Sequence, residues 1–533
     1  MLSTRLTSGD VISPVFQLAV KRMALQGGTY FLALLAGAAQ AWAIASPRSG
    51  EPSWWLQLLS LAGLAWLLER SRSTITAGLL AWLFALSWIA GSVWWLFISM
   101  HTYGGVHWFP AALGVFGLAL FLASYHGLAA AAYHRLRRAH PAMRAFLFAA
   151  LWLGAELLRA RLFTGFPWAA SGYAHVDGPL AGLASWIGVY GIGAVAALLA
   201  YMPVMARSTG LLRRGAWAPT ALCLVALAVG TRTGDPADSP ATAMLSVALL
   251  QANIPQDKKF ESAGIQIALR WYAERLKNAT EDLVVAAETA IPLLPQDLPA
   301  GYWQGLQNRF QGSTQAALVG LPLGSEEQGY TNSVVGLGFD AGSYRYDKHH
   351  LVPFGEFVPP LFRWFTRIMR IPLGDFRPGV VGQPSFAWKG HRLAPNICYE
   401  DVFGEELAAR FRDEAQAPTV FVNVSNIAWF GNTVAIDQHL QISRMRAKEF
   451  ERPMLRATNT GATAIIDRFG RVTHSLPRHT RGVLIGVVEG GTRITPYAWW
   501  MARFGLWPFW VLVAVAVVAA AVSARIMHGG KRA

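Results

Sequence analysis

Glu288, Lys348 and Cys398 are the residues of this chain whose types and settings could do chemistry together. Glu288 follows the strand-like run Leu283–Ala287, Lys348 follows Tyr344-Arg345-Tyr346-Asp347, and Cys398 follows Ala394-Pro395-Asn396-Ile397. Strand ends and the loops after them are where α/β proteins usually place functional side chains. A thiol is nucleophilic as its thiolate, so it needs a base or a nearby cation. A carboxylate can take the thiol proton, and an ammonium can stabilise both thiolate and oxyanion. The three would suffice for acyl transfer, although by spacing alone each of them is far more readily structural. The other cysteine, Cys223, lies in the apolar run Ala218–Val229 and reads as a small hydrophobe rather than a disulfide partner.

The elements that hold these residues divide the chain in two. Of 533 residues, 53% are hydrophobic and only 14% charged, against roughly 25% charged in soluble chains, so a large part belongs in lipid. A membrane-spanning helix needs roughly 20 mostly apolar residues. Eight runs are candidates: Thr29–Ala45, Trp54–Leu68, Ile75–Met100, Phe109–Tyr133, Ala145–Phe163, Leu180–Met205, Ala216–Gly230 and Leu506–Ala524. The net charge of +15 comes without zinc-ligand spacing, a phosphate loop or a basic aromatic RNA-binding signature, so nucleic acid is not an expected partner.

The cations sort instead by side. With eight spans, Arg5, Lys21 and Arg22, Arg70/Arg72, Arg135/Arg137/Arg138/Arg144, Arg207/Arg213/Arg214, and Arg525, Lys531 and Arg532 all fall on one face. The positive-inside rule makes that face cytoplasmic, with both termini there and the segment from about Thr231 to Arg503 outside. This outer segment alternates β-branched runs (Leu245–Leu250, Leu283–Ala287, Ala317–Leu321, Ser333–Phe339, Leu393–Ile397, Thr419–Val424, Val483–Val488) with helical ones (Gln266–Ala279, Glu405–Ala417, Ala435–Phe450). A layered α/β or α+β domain follows, entered through a linker at Thr231–Pro240. The expected divisions are a membrane domain of seven spans over 1–234, a catalytic domain over 245–490 and a last span over 505–526.

Three segments carry a resemblance: Ala287-Glu288-Thr289-Ala290-Ile291-Pro292, Lys348-His349-His350-Leu351-Val352-Pro353-Phe354-Gly355-Glu356 and Asn396-Ile397-Cys398-Tyr399-Glu400. They resemble the Glu–Lys–Cys signature of the nitrilase superfamily of carbon–nitrogen hydrolases. The block from Val352 to Pro359, with Gln251–Gln256, Arg444–Ala447, Leu455–Gly461 and Thr164–Trp168, is similar to the apolipoprotein N-acyltransferase family within it. The resemblance spans nearly the whole chain. It implies a polytopic α-helical membrane domain carrying a four-layer αββα nitrilase-like sandwich, periplasmic, on a bacterial inner membrane. Glu288 would be the general base, Lys348 the oxyanion stabiliser and Cys398 the nucleophile. Glu356 would help position them, and Tyr399 and Glu400 would orient the cysteine loop.

Such families take an acyl chain from a phospholipid, typically phosphatidylethanolamine, as a cysteine thioester. They pass it to the α-amine of a diacylglyceryl-cysteine at an apolipoprotein N-terminus. No cofactor is implied, and a monomer is expected. Two positions depart from the pattern: Phe260 stands where a tryptophan is usual, and Ile427 where an aspartate is usual. Reduced activity or altered lipid preference is the expectation, reversible by Phe260→Trp or Ile427→Asp.

Phe260, Trp429 and Phe430 are candidate substrate contacts, with aromatic packing as the plainer reading of the last two. Arg444, Arg446, Arg452 and Arg456 would meet lipid phosphate or form a solvated or salt-bridged helix face. His349-His350 lacks partners at metal-ligand spacing. A membrane-anchored amidase hydrolysing a small amide would use the same three residues, but an anchor needs only one span. A transporter should line its path with charges, and Glu156 is the clearest charge within the spans.

Overall fold

The computed structural model describes residues 14–209, 217–231, 242–338, 344–358 and 376–529. The linker expected at Thr231–Pro240 lies, after its first residue, outside them. Helices form at all eight candidate spans: Pro14–Ile44, Trp54–Arg70, Thr74–Val93, Trp108–Leu136, Pro141–Arg161, Ala184–Thr209, Trp217–Gly230 and Trp507–Gly529. Among the described residues six are long and apolar enough to cross a membrane. Trp54–Arg70, at 17 residues, and Trp217–Gly230, at 14, are shorter. Large apolar side chains stand exposed around the bundle, Phe31, Leu79, Phe116 and Val515 among them, as a lipid-facing surface requires.

The third helix ends earlier than the expected Met100. It breaks after Val93 and goes on as a wide helical turn, Ser99–Tyr103, so Trp95 and Tyr103 meet the other half of the chain. In Ala184–Thr209 the chain bends at Gly188, whose φ is +61°. A Cβ there would lie 2.2 Å from the Tyr497 ring, so only glycine fits the bend.

Among the described residues, the second half of the chain holds twelve strands: β1 (Met244–Gln251), β2 (Leu283–Ala286), β3 (Ala316–Ser325), β4 (Gly329–Leu337), β5 (Tyr344–Asp347), β6 (Phe386–Trp388), β7 (His391–Ile397), β8 (Val420–Ser425), β9 (Met454–Thr458), β10 (Ala464–Ile466), β11 (Val472–Ser475) and β12 (Gly482–Glu489). They form two six-stranded sheets, ordered β12-β1-β2-β3-β4-β5 and β11-β10-β9-β8-β7-β6. In each, three parallel strands lie at the centre (β1-β2-β3 and β7-β8-β9) with antiparallel strands outside. Leu245, Val247, Leu249, Val285 and Leu318 of one sheet pack against Leu393, Val420, Val422 and Leu455 of the other.

The opposite face of the first sheet is covered by Ser262–Asn278 and Tyr302–Phe310 through Tyr272, Leu276, Leu306 and Phe310. That of the second is covered by Ala435–Phe450 through Ile442, Met445 and Phe450. This is the four-layer αββα sandwich. The expected helix Glu405–Ala417 is shorter: Gly404–Ala408 is helical, and 3₁₀ turns follow. There the Asp413 side chain accepts the Ala415 N–H, a local bond that competes with the helix.

Ala435–Phe450 is the keystone of the seam, buried between its sheet and the membrane helices in one continuous apolar cluster. Gln438 accepts hydrogen bonds from Trp95 and Trp168 at 3.0 and 2.8 Å and donates to the Ser92 carbonyl. Arg444 forks onto Asp177, and Glu449 accepts the Val189 N–H at 2.7 Å. The arginine row, expected to meet lipid phosphate or to form a solvated or salt-bridged face, is salt-bridged in part, at Arg444 and Arg446, but lies in the interior. Arg446 pairs with Glu449, Arg452 with main-chain carbonyls, and Arg456 with His439, Ser443 and Asn423. Glu156 is paired too, with Arg159 and with the Ser171 hydroxyl and N–H.

Candidate active site

The site lies where β2, β5, β7 and β8 end, so both sheets contribute. Glu288 leaves β2, and the next residue, Thr289, has φ +50°. A Cβ on Gly320 of the adjacent β3 would lie 2.3 Å from the Ala287 carbonyl, so this close approach requires glycine. Cys398 follows β7 at φ +53°, a conformation costing a non-glycine residue of order 1–3 kcal/mol, held here by the loop around it.

The carboxylate of Glu288 accepts the Asn426 N–H at 2.7 Å and the Asn332 amide at 2.8 Å. The Lys348 ammonium lies 3.6 Å from Glu288 and 2.9 Å from Glu356. Glu356 also accepts from Asn332 and from the Val352 N–H, both at 2.8 Å. Lys348 is 1% exposed, so its charge depends on those partners. Burial pulls its pKa down, but Glu356 and Glu288 outweigh burial and hold it above the ordinary value, permanently charged.

Burial and the Glu288 carboxylate push the Cys398 thiol up to about 12 against the pull of Lys348, so it rests protonated and needs a base. Its carbonyl is fixed by the Asn423 amide and by His439 Nε2, each at 3.2 Å. Behind His439 stand Asp401 and Arg456, which together set the imidazole.

Glu400 locks the turn after the nucleophile. It accepts the N–H groups of Ile397 and His349 at 2.6 and 2.7 Å and the Tyr346 hydroxyl at 2.7 Å. His349 Nδ1 lies 2.7 Å from Glu400 and its Nε2 3.0 Å from Glu406; His350 Nδ1 also reaches Glu406 at 3.0 Å. The paired histidines thus clasp the nucleophile loop. Tyr399 ties that loop to the membrane half: its hydroxyl donates to the Gly165 carbonyl at 3.3 Å and its ring stacks on Trp168. Phe430 meets Trp95 and Trp168, Trp429 meets Tyr103, and Phe260 is half-buried in the turn after β1.

Comparison with known proteins adds the family. The model for the apolipoprotein N-acyltransferase N-terminal domain matches residues 36–202, and that for carbon–nitrogen hydrolase matches residues 246–495. An apolipoprotein N-acyltransferase of Verminephrobacter eiseniae is 57% identical, over 89% of this chain and 92% of its own. That of Ralstonia nicotianae is 45% identical, over 83% and 85%. The chain belongs to the apolipoprotein N-acyltransferase family. Among solved structures, a CN-hydrolase superfamily protein from Xanthomonas campestris is similar at 19% identity and a TM-score of 0.35, covering 50% of this chain and 96% of that one.

Within an N-acyltransferase frame, the six expected catalytic and supporting residues come together around Lys348 and the Cys398 loop. Sequence reasoning gave no role to Asn332, Asn423, Asn426 or His439, and read Arg456 only as part of the arginine row. The quoted family block Leu455–Gly461 runs through Arg456, the one signal that set it apart.

The departure at Ile427 has a physical explanation. Ile427 is wholly buried, in an apolar cluster with Ile436, Ala462, Phe430 and Leu440. Its neighbours are matched to isoleucine, so Ile427→Asp would bury a carboxylate among hydrocarbon rather than restore anything. We expect that variant to lose about 2–4 kcal/mol of stability. Thermal unfolding in detergent measures this, and a wild-type melting temperature would contradict it.

Proposed function

We propose that this chain transfers a fatty acyl group from phosphatidylethanolamine, through a Cys398 thioester, to the α-amine of a diacylglyceryl apolipoprotein. The family makes it an acyltransferase of lipoprotein maturation in a bacterial inner membrane, with a membrane-lipid donor and a lipoprotein acceptor. The carrying observation is that Glu288, Lys348 and Cys398 share one pocket while Tyr399, next to the nucleophile, is pinned to the membrane half.

The Cys398 thiol gives its proton to Glu288, and the sulfur attacks the donor's ester carbonyl carbon. The carbonyl electron pair moves onto oxygen, facing the Lys348 ammonium. Collapse breaks the ester C–O bond, and the leaving lysophospholipid alkoxide takes the proton from Glu288. The thioester remains. The acceptor amine then attacks it, and its proton passes through Glu288 to the departing thiolate, leaving an amide and free enzyme. Glu356 keeps Lys348 charged and Glu400 holds the turn.

The tie of the nucleophile loop to the membrane half, through Tyr399 to Gly165 and Trp168, supports a lipid ester as donor. The reading carries the topology with it: both termini cytoplasmic, domain divisions at 1–234, 245–490 and 505–526, and a periplasmic sandwich acting as a monomer.

Intact-protein mass spectrometry of wild type and Cys398→Ala after incubation with phosphatidylethanolamine tests it. A hydroxylamine-labile acyl adduct on wild type alone is expected, and no adduct on accessible lipid would overturn the thioester. An adduct that water discharges without any acceptor would favour the amidase.

A further inference from the structure

The acyl-transfer sequence above leaves one buried charge unused. Lys259, in the turn after β1, is 2% exposed and donates from Nζ to the main-chain carbonyl of Glu288 at 3.1 Å. The same turn reaches the other side of Glu288. There the Gln256 side chain accepts from the Asn426 amide at 2.8 Å, and the Asn426 N–H is bonded to the Glu288 carboxylate. Glu288 is thus bracketed, carbonyl and carboxylate, by residues of one four-residue stretch, Gln256–Lys259, with Gln256 acting through Asn426.

An ammonium buried with a single acceptor among the described residues persists only where its charge is compensated. Glu288 and Cys398 are the titratable groups facing it, with Lys348 and Glu356 on the far side of Glu288. The charges sum simply. Glu288 and Glu356 carry two negative charges; Lys348 alone would leave the resting pocket anionic, and the thiolate and oxyanion would have to form against that field. With Lys259 the pocket is neutral before the thiol proton moves to Glu288. It stays neutral afterwards, because the transfer relocates one negative charge without adding another.

We infer that Lys259 is a positioning residue for acyl transfer, clamping the Glu288 main chain and supplying the second ammonium that offsets the Glu288–Glu356 pair. The inference rests on Cys398 being the acylated nucleophile. Burial lowers the Lys259 pKa to about 8, with Glu288 and Cys398 pulling it back up, so the ammonium is lost just above neutrality.

The test is the single-turnover rate of Cys398 acylation from phosphatidylethanolamine, by intact mass, in full-length protein in detergent across pH 6 to 10. In wild type the rate should gain a descending limb near pH 8. Lys259→Arg, which keeps its charge, should move that limb upward. Lys259→Met should be slowed roughly 10- to 100-fold at pH 7 and show no limb, a smaller loss than for a group touching the oxyanion itself. A residue that merely fills space would move the rate but not the limb. A wild-type profile without the limb, a Lys259→Arg profile matching wild type, or a Lys259→Met variant as fast as wild type overturns the inference while leaving the thioester standing. No adduct on wild type fells both. Should Lys259→Met fail to fold, the wild-type and Lys259→Arg profiles decide alone.

Discussion

Lys348→Met is expected to abolish measurable acylation of Cys398 and to destabilise the protein in the same step. Lys348 is a buried cation within 3.6 Å of Glu288 and 2.9 Å of Glu356. Removing one oxyanion donor typically costs a hundred- to thousandfold in rate. Here the loss should be larger, because Lys348 also allows both carboxylates to stay ionised. Asn332 bridges them with one amide nitrogen, so without the ammonium they face each other as buried like charges. One then takes up a proton. A Glu288 that is protonated, or that shares a proton with Glu356, no longer accepts one from a thiol whose pKa lies near 12.

Breaking a buried pair by removing one partner costs on the order of 3–5 kcal/mol. Glu356→Gln separates the two effects. It leaves Lys348 paired with Glu288 and removes the like-charge conflict, so it should lower the rate less than Lys348→Met. Single-turnover adduct formation and thermal unfolding of both variants measure this. A Lys348→Met variant within tenfold of the wild-type rate would remove Lys348 from the chemistry.

The membrane half was legible because its determinants are local. Twenty apolar residues and a row of cations suffice to place a helix, and helices form at all eight runs. Where that reading slipped, at Ile75–Met100, the run continued through residues that turn to meet the catalytic domain, and hydrophobicity does not distinguish lipid from a protein partner. Seven strands were legible as β-branched runs. β5, β6, β9, β10 and β11 were not, since runs as short as Tyr344–Asp347 or Val472–Ser475, four residues each, carry too little pattern to mark a strand. The triad could be named because the segments around Glu288, Lys348 and Cys398 resemble the nitrilase signature; their positions after strand-like runs did not decide it.

Asn332, Asn426 and His439 could not be named. They act through bonds spanning 24 to 138 residues of sequence, and nothing in their local setting marks them. The arginine row misled for a related reason. Four arginines in thirteen positions look like a lipid-facing, solvated or salt-bridged surface, and only the packing of a sheet on one side and helices on the other makes them interior.

The His349–Glu400–Glu406 clasp should give stability a pH optimum that His349→Gln removes from the alkaline side. Burial works against protonated His349, but Glu400 and Glu406 outweigh it and raise its pKa to about 9. A raised pKa contributes stability that is complete below the unfolded value, near 6.5, and is lost as pH rises through about 9. That separation of roughly 2.5 units corresponds to about 3 kcal/mol. On the acid side burial works against ionised Glu400 and Glu406, and their histidine and hydrogen-bond partners win, holding both at about 2. Depressed carboxylates contribute above about 4.5 and lose that contribution as pH falls through about 2.

The clasp is therefore complete between roughly pH 4.5 and 6.5. Glu405 and Glu449, each raised by burial to about 7, and Lys259, lowered to about 8, also titrate across the alkaline limb. They are common to both proteins, so the wild-type minus His349→Gln difference isolates the clasp. That difference should be largest near pH 6 and shrink toward zero by pH 10, read from unfolding in detergent. A difference that stays constant from pH 6 to 10 would mean His349 holds the nucleophile loop by packing and neutral hydrogen bonds, not by charge.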